Sequence, residues 1–411
     1  MREWLCGGTP GNAGNLVGEM VSGVAVTNDL QQLVCELVAI ESVNPDLVAS
    51  GAGEAEIARF VARWLGDQGL EVDIVEPVSG RPSVIGVLRG SGGGRSLMLN
   101  AHMDTVGAGG MAHPFEPSVE NGRIHGRGAY DMKGSLAAIM ITAREVKKLG
   151  LRGDLIVTAV ADEEVASFGT SAVLERRRAD AAIVTEPTEL RLCLAHKGFA
   201  WLEVEIRGVA AHGSRADLGV DAIGHAGRLL TGILDLDHRL RSGRRHPLLG
   251  TGSVHASLIE GGQELSTYPA RCVVQLERRT VPGEDAVTSL GEMNGLIAEI
   301  QAVEGRVAAS ARVTLERAPS ELSPDHDLSK TIARAAAEVL GREAEISGVA
   351  YWMDMALINA TGIPTVAFGP AGEGEHADVE WVDLASLETC VKVYLRSAEL
   401  ICGPRSTGER G

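Results

Sequence analysis

Histidines and carboxylates recur in five short segments of this chain, each close behind an apolar run or a glycine pair. They are Asn100-Ala101-His102-Met103-Asp104-Thr105, Gly126-Arg127-Gly128-Ala129-Tyr130-Asp131-Met132-Lys133-Gly134, Asp162-Glu163-Glu164, Val184-Thr185-Glu186-Pro187-Thr188 and Gly374-Glu375-His376-Ala377-Asp378. With Asp104 two residues after His102, the carboxylate can sit behind the imidazole and select its tautomer, as outer partners do around bound metals. A lone structural histidine is the plainer alternative. Asp131 stands just before a helical pattern, where an aspartate serves equally well as an N-cap. Adjacent residues on extended backbone point in different directions, so one of Glu163 and Glu164 can bind a metal while the other faces a substrate. Two solvated charges would look the same. Each segment is weak alone; the set is not.

The order of all five segments resembles the M20 family of metallopeptidases and amidohydrolases, the group of aminoacylase-1, acetylornithine deacetylase, succinyl-diaminopimelate desuccinylase and carboxypeptidase G2. The resemblance spans about residues 28–400. It implies two divalent ions, zinc first and cobalt or manganese after it, in keeping with a mixed nitrogen and oxygen donor set. His102, Asp131 and Glu186 would hold one ion; Asp131, Glu164 and His376 would hold the other. Asp104 would orient His102, and Glu163 would be the general base. Such a pair of cations acidifies a bridging water and polarises a carbonyl, and a nearby carboxylate moves the proton to the leaving nitrogen. The implied reaction is cleavage of the amide C–N bond of a small N-acyl amino acid or dipeptide-like substrate.

Two further matches carry the resemblance into the middle of the chain. Ala211-His212-Gly213-Ser214 corresponds to the segment whose histidine reaches the partner subunit's site and steadies the oxyanion, although Gly213 and Arg215-Ala216 depart from the usual surroundings. Arg279, in Arg279-Thr280-Val281-Pro282-Gly283-Glu284, corresponds to the arginine that binds the substrate carboxylate, a task suited to a bidentate fork; Arg278 beside it competes for the assignment. Tyr351-Trp352-Met353-Asp354-Met355 is bulky where the family is often small. An aromatic amino-acid-like substrate, with hydrolytic deamination at a ring carbon, is therefore an alternative. A non-catalytic amino-acid or peptide binder is the other, but it would have lost a ligand or the base, and all six are present.

The elements that must position these groups follow from periodicity. Leu30, Leu33, Val34, Leu37 and Val38 recur at helical spacing after the capping residues Thr27-Asn28-Asp29, and Asn44-Pro45 ends the run. A helix is predicted over about 54–68, strands over 71–75, 83–88 and 96–101, a helix over 134–149 and a strand over 154–161. Strands alternating with such helices give a layered α/β domain. From about residue 197 the order strand, helix, strand, strand, helix, strand predicts an inserted split βαβ (ferredoxin-like) domain over 197–315, the family's lid and dimerisation domain. The metal-binding catalytic domain would then comprise 28–196 and 316–403, with a loose extension at 1–27 and a disordered tail at 404–411.

The chain has 411 residues, too many for one ordinary core, and a net charge of −17. That acidity offers no attraction for nucleic acid or an anionic membrane. The six cysteines are far apart with no CxxC pair, which reads as reduced thiols in a cytoplasm. No apolar run reaches the length of a bilayer span. Gly90–Gly94 lacks the Lys-Ser/Thr of a phosphate loop, and Ser214 lacks a nucleophile elbow. The expected partners are a carboxylate-bearing small molecule and a second copy of the chain.

Overall fold

The computed structural model describes residues 24–303 and 305–404, which fall into two units. The larger runs up to Leu194 and takes in Leu322–Ile346 and Leu357 onward; the smaller is Ala195–Glu321 with Ser347–Ala356. Most of the expected extension, 1–23, and all but the first residue of the expected tail lie outside the described residues. The first helix, α1 (Val24–Val38), begins ahead of the predicted caps at residues 27–29 and ends before Asn44-Pro45. The chain between makes an isolated bridge instead, Val43 against Thr105, with Asn44 N–H on the Thr105 carbonyl at 2.9 Å. Its apolar stripe, Leu30, Leu33, Val34, Leu37 and Val38, is buried as the spacing predicts.

In the larger unit, α2 (Ala55–Asp67) is followed by β1 (Glu71–Val75), β2 (Ser83–Leu88) and β3 (Leu97–His102). Short strands β4 (Ser118–Glu120) and β5 (Arg123–His125) lead to a wide turn, Ala129–Lys133, and then α3 (Gly134–Glu145). Next come β6 (Leu155–Val160), α4 (Phe168–Arg176), β7 (Ala181–Val184) and β8 (Leu192–His196), from which the chain enters the smaller unit. β3 and β6 are buried at every position, as continuous apolar runs covered on both faces should be.

The smaller unit contains β9 (Gly198–Arg207), α5 (Ala222–Ser242), β10 (Ser253–Gly261), β11 (Arg271–Thr280), α6 (Ala286–Val303) and β12 (Ala308–Arg317). Its antiparallel sheet has the order β10-β11-β9-β12, the split βαβ arrangement. One face packs on α5 and α6 through Leu202, Val204, Ile206, Leu229, Ile233 and Met293. β13 (Ser320–Glu321) pairs with β8 at His196 and Ala195. The Trp352 indole joins this unit by donating to the Ala318 carbonyl at 3.1 Å, with the Arg317 guanidinium over its ring.

The chain closes with α7 (Asp327–Leu340), β14 (Ile346–Val349), α8 (Met355–Ala360), β15 (Thr365–Ala367), β16 (Gly372–Glu373), β17 (Trp381–Asp383) and α9 (Leu384–Cys402). The large sheet runs β1-β2-β6-β3-β7-β15-β8, and its centre, β6, β3, β7 and β15, is parallel. A small sheet, β16-β17-β5-β4, was not predicted, because its strands are two or three residues long and carry no periodicity. The described cysteines are free thiols. Among the described residues no helix is long and apolar enough to cross a membrane.

Candidate metal centre

Parallel strands deliver whatever follows them to one edge of a sheet, and that edge is where open α/β sheets bind ligands. His102 ends β3, Glu163 and Glu164 follow β6, and Glu186 follows β7. Asp131 comes from the wide turn before α3, where Gly128 takes φ +79° and a Cβ would lie 2.7 Å from Thr105 Cγ2, so a glycine is required. The Asp131–Met132 peptide is cis. His376 lies between β16 and β17. Six residues scattered over the sequence thus meet at one place in the larger unit.

The two carboxylate oxygens of Asp131 face different imidazoles. Oδ1 is 2.9 Å from His102 Nε2, and Oδ2 is 3.3 Å from His376 Nε2. His376 Nε2 also lies 3.1 Å from Glu164 Oε2, and His102 Nε2 lies 3.6 Å from Glu186 Oε1. Asp131 therefore stands between the two histidines. Ligand atoms of His102, Asp131 and Glu164, and separately of His102, Glu163 and Glu186, lie within 4.8 Å of one another. Glu163 is thus within reach of the same donor group as Glu186.

His102 Nδ1 lies 2.9 Å from the Asp104 carbonyl, which can only accept, so Nδ1 carries the proton. In the neutral ring that leaves the Nε2 lone pair aimed into the cluster, as a metal requires. The carboxylate of Asp104 is 3.7 Å from Nδ1, so it is the backbone of Asp104 that orients the ring. The carboxylate has another task, accepting Glu163 N–H at 3.1 Å and Glu164 N–H at 3.2 Å. Asp104 thus faces His102 through its carbonyl, and its side chain also holds the glutamate pair.

Crowding and burial shift the titrations strongly. His376 is raised to about 10 by its bonds to Asp131 and Glu164. Burial would lower His102, but the Asp131 hydrogen bond and the charges of Glu186, Asp131 and Asp104 take it well above its ordinary value. Burial opposes ionisation of Asp131, yet the bonds from both imidazoles hold it well below the usual carboxylate range. Glu164 is pushed up by burial and by the charge of Asp131. Protons and divalent cations compete for such lone pairs. The donor set of carboxylates and inward-facing imidazole nitrogens is of the kind that holds divalent cations.

Supporting residues surround the cluster, and one of them, Glu380, had no signal in the sequence. Buried Glu380 accepts N–H groups from Gly128, Tyr130 and Asp131 at 2.9 to 3.0 Å, and Arg127 Nη1 at 2.7 Å, which shapes the turn carrying Asp131. Lys133, fully buried, donates to the Ile40 carbonyl at 2.6 Å, and burial lowers it to about 7. In the smaller unit, Arg278 is 1% exposed and spent on Glu292, Glu284 and the Arg279 carbonyl, which marks it as a packing residue. Arg279 is partly exposed, with Nε on Glu277 at 2.7 Å and its guanidinium over Phe199. His212 is exposed; its Nδ1 accepts Ser214 N–H at 3.2 Å, so the neutral ring carries its proton on Nε2.

The sequence profile of peptidase family M20/M25/M40 matches residues 98–400. An acetylornithine deacetylase of Erwinia tasmaniensis is 29% identical over 376 residues, covering 86% of this chain and 92% of its own. The aminopeptidase PepT of Bacillus cereus superposes with a TM-score of 0.76 at 21% identity, covering 91% of this chain and 98% of its own. The YXEP protein of Bacillus subtilis, a dinuclear metal-binding peptidase of family M20, superposes at 0.73 with 18% identity, covering 93% and 100%. At those identities the two structures speak for the fold. The profile match takes in all six converging residues, and the chain belongs to peptidase family M20/M25/M40, whose members are metal-binding hydrolases of amide bonds.

Proposed function

We propose that the chain is a dinuclear deacylase that cleaves the amide bond of a small N-acyl amino acid bearing a free carboxylate. The observation that carries this reading is Asp131, whose two oxygens face His102 and His376 separately. His102, Asp131 and Glu186 would hold one divalent cation, and Asp131, Glu164 and His376 the other, zinc fitting the donors and cobalt or manganese able to replace it. Bound there, the pair would acidify a water and polarise the scissile carbonyl.

Glu163 is left as the general base. It takes the proton of the attacking water and returns it to the leaving nitrogen, so that acid and amine separate with the proton balance closed. Its backbone N–H is held by Asp104, which supports a fixed approach for the carboxylate. Its reach toward His102 and Glu186 leaves ligation as the competing role, which metal content decides. His212, with a proton available on Nε2, suits donation to an oxyanion, and Arg279 suits the substrate carboxylate.

The acyl amino acid reading is supported by the 29% and 28% identities to acetylornithine deacetylases of Erwinia tasmaniensis and Shigella sonnei, each across most of both chains. A second copy of the chain would pair through the smaller unit, whose sheet ends on β10 with Leu258 and Ile259 exposed. Light scattering at micromolar concentration should then give a dimer; a monomer removes this element. The function itself is tested by assaying N-acyl amino acids, N-acetylornithine among them, against dipeptides and aryl amines with added zinc, cobalt or manganese. Metal-dependent release of the acyl group is expected; turnover confined to dipeptides or aryl amines would overturn it.

A further inference from the structure

Asn44 sits in the turn after α1, fully buried, with every polar atom of its side chain engaged. Nδ2 donates to Asp104 Oδ2 at 2.8 Å and to Asp162 Oδ1 at 3.0 Å, while Oδ1 accepts Asp46 N–H at 3.0 Å. One neutral amide thus ties together two carboxylates that would otherwise repel. Behind Asp162 stands Arg81, buried, with Nη2 on Asp162 at 3.2 Å and on Glu54 at 2.6 Å, Nε also on Glu54, and Nη1 on Asp46 at 2.9 Å. Glu54 accepts Asp162 N–H at 3.2 Å in return.

The two aspartates held by Asn44 flank the glutamate pair. Asp162 immediately precedes it, at φ +68°, a conformation a non-glycine residue keeps only when its surroundings impose it. Asp104 accepts the N–H groups of both Glu163 and Glu164. Displacing either aspartate moves the backbone of both glutamates.

We propose that Asn44, anchored through Asp162 by Arg81, is a positioning residue that sets the Glu163-Glu164 backbone. The proposal rests on the roles given above to those glutamates. Asn44→Asp tests it without changing volume, because it exchanges both N–H donors for lone pairs facing two carboxylates. Metal-free protein is titrated with Co²⁺ and followed by calorimetry and by visible absorption, which reports ligand geometry. Partners outside the ligand set typically govern metal affinity or activity by about 10–100-fold, and a loss of that size is expected at one of the two sites, with an altered band. On a hydrolysed N-acyl amino acid, kcat should fall while KM changes little. Ile332→Ala, which opens a cavity at a buried position of α7, an element that holds none of these groups, supplies the stability control: its Tm should drop while Co²⁺ affinity and spectrum stay those of wild type.

If Asn44→Asp does not fold, Asn44→Ser, which keeps one donor for two acceptors, should show the same changes in smaller measure. Wild-type Co²⁺ affinity and spectrum in the folded Asn44 variant would overturn the proposal, as would an equal weakening in Ile332→Ala. Wild-type protein that takes up no Co²⁺ would instead remove the metal-centre reading, and the positioning role with it.

Discussion

Arg81 in the larger unit and Arg312 in the smaller one each grip a glutamate with the guanidinium group. The Arg81 side chain is 7% exposed and its partner Glu54 is 0% exposed, whereas Arg312 is 66% exposed. Burial and the nearby charge of Asp104 push Glu54 up, even against Arg81. Glu203, by contrast, is held below its usual range by hydrogen bonds from Arg312 and Gln275. The residue types are the same; water is what differs. A buried charge must be matched group by group, so it fixes its neighbours, while a solvated pair is nearly free to part. Of the converging side chains, His102, Asp131, Glu164 and Glu186 belong to the first kind, while His376 is 54% exposed; the striped charges on the outer face of the β9–β12 sheet belong to the second.

That contrast orders the expected effects. Asp131→Ala should be the most damaging, with loss of both ions and of all measurable turnover, because in the proposed arrangement one carboxylate would serve both ions; metal analysis of the folded variant checks it. One retained ion would mean the two sites are independent. Glu163→Ala should keep its metal and lose about 10²–10⁴ in kcat, the usual worth of a positioned base. Fewer ions than wild type would exchange the roles of Glu163 and its neighbours.

His212→Ala should fold and bind metal, with kcat about 10²–10³ lower and little change in KM, as for loss of one oxyanion donor. Mixing it with Glu163→Ala and allowing subunits to exchange should restore activity, up to half the wild-type value per dimer, because one site then combines an intact base with a histidine given in trans. Exchange without recovered activity would leave His212 acting within its own chain or not at all.

Glu203→Gln should do least: metal content, kcat and the urea midpoint at neutral pH should stay near wild type. Because the native Glu203 carboxyl is held down by Arg312, whatever it contributes is complete above the unfolded glutamate value near 4.3. That contribution is lost as pH falls through the native value, so the two midpoints should converge in acid. A large defect at neutral pH would break the contrast between the regions.

Local patterning made most of the architecture legible. Leu155–Val160 is a continuous apolar run that folds as a covered strand, β9 alternates buried and partly exposed positions as a half-exposed strand does, and the acids and histidines behind such apolar runs marked the sheet edge in advance. The same logic failed at β4, β5, β16 and β17, which are too short to show a period. It also could not show the second task of Asp104, because a two-residue spacing from His102 says that the carboxylate can reach the ring, not that two backbone amides will bond to it as well.

The chain by itself determined which donors exist and near which strand ends they fall, since both depend on residue type and on spacings of two to four. Only the tertiary structure decided how they are shared. Glu380 reaches Tyr130 across 250 residues, Asn44 reaches Asp104 across 60, and Arg278 rather than Arg279 is consumed by packing. No local period encodes such contacts; they follow from which loops the parallel strands bring to a common edge, and from the rule that a buried charge must find a partner.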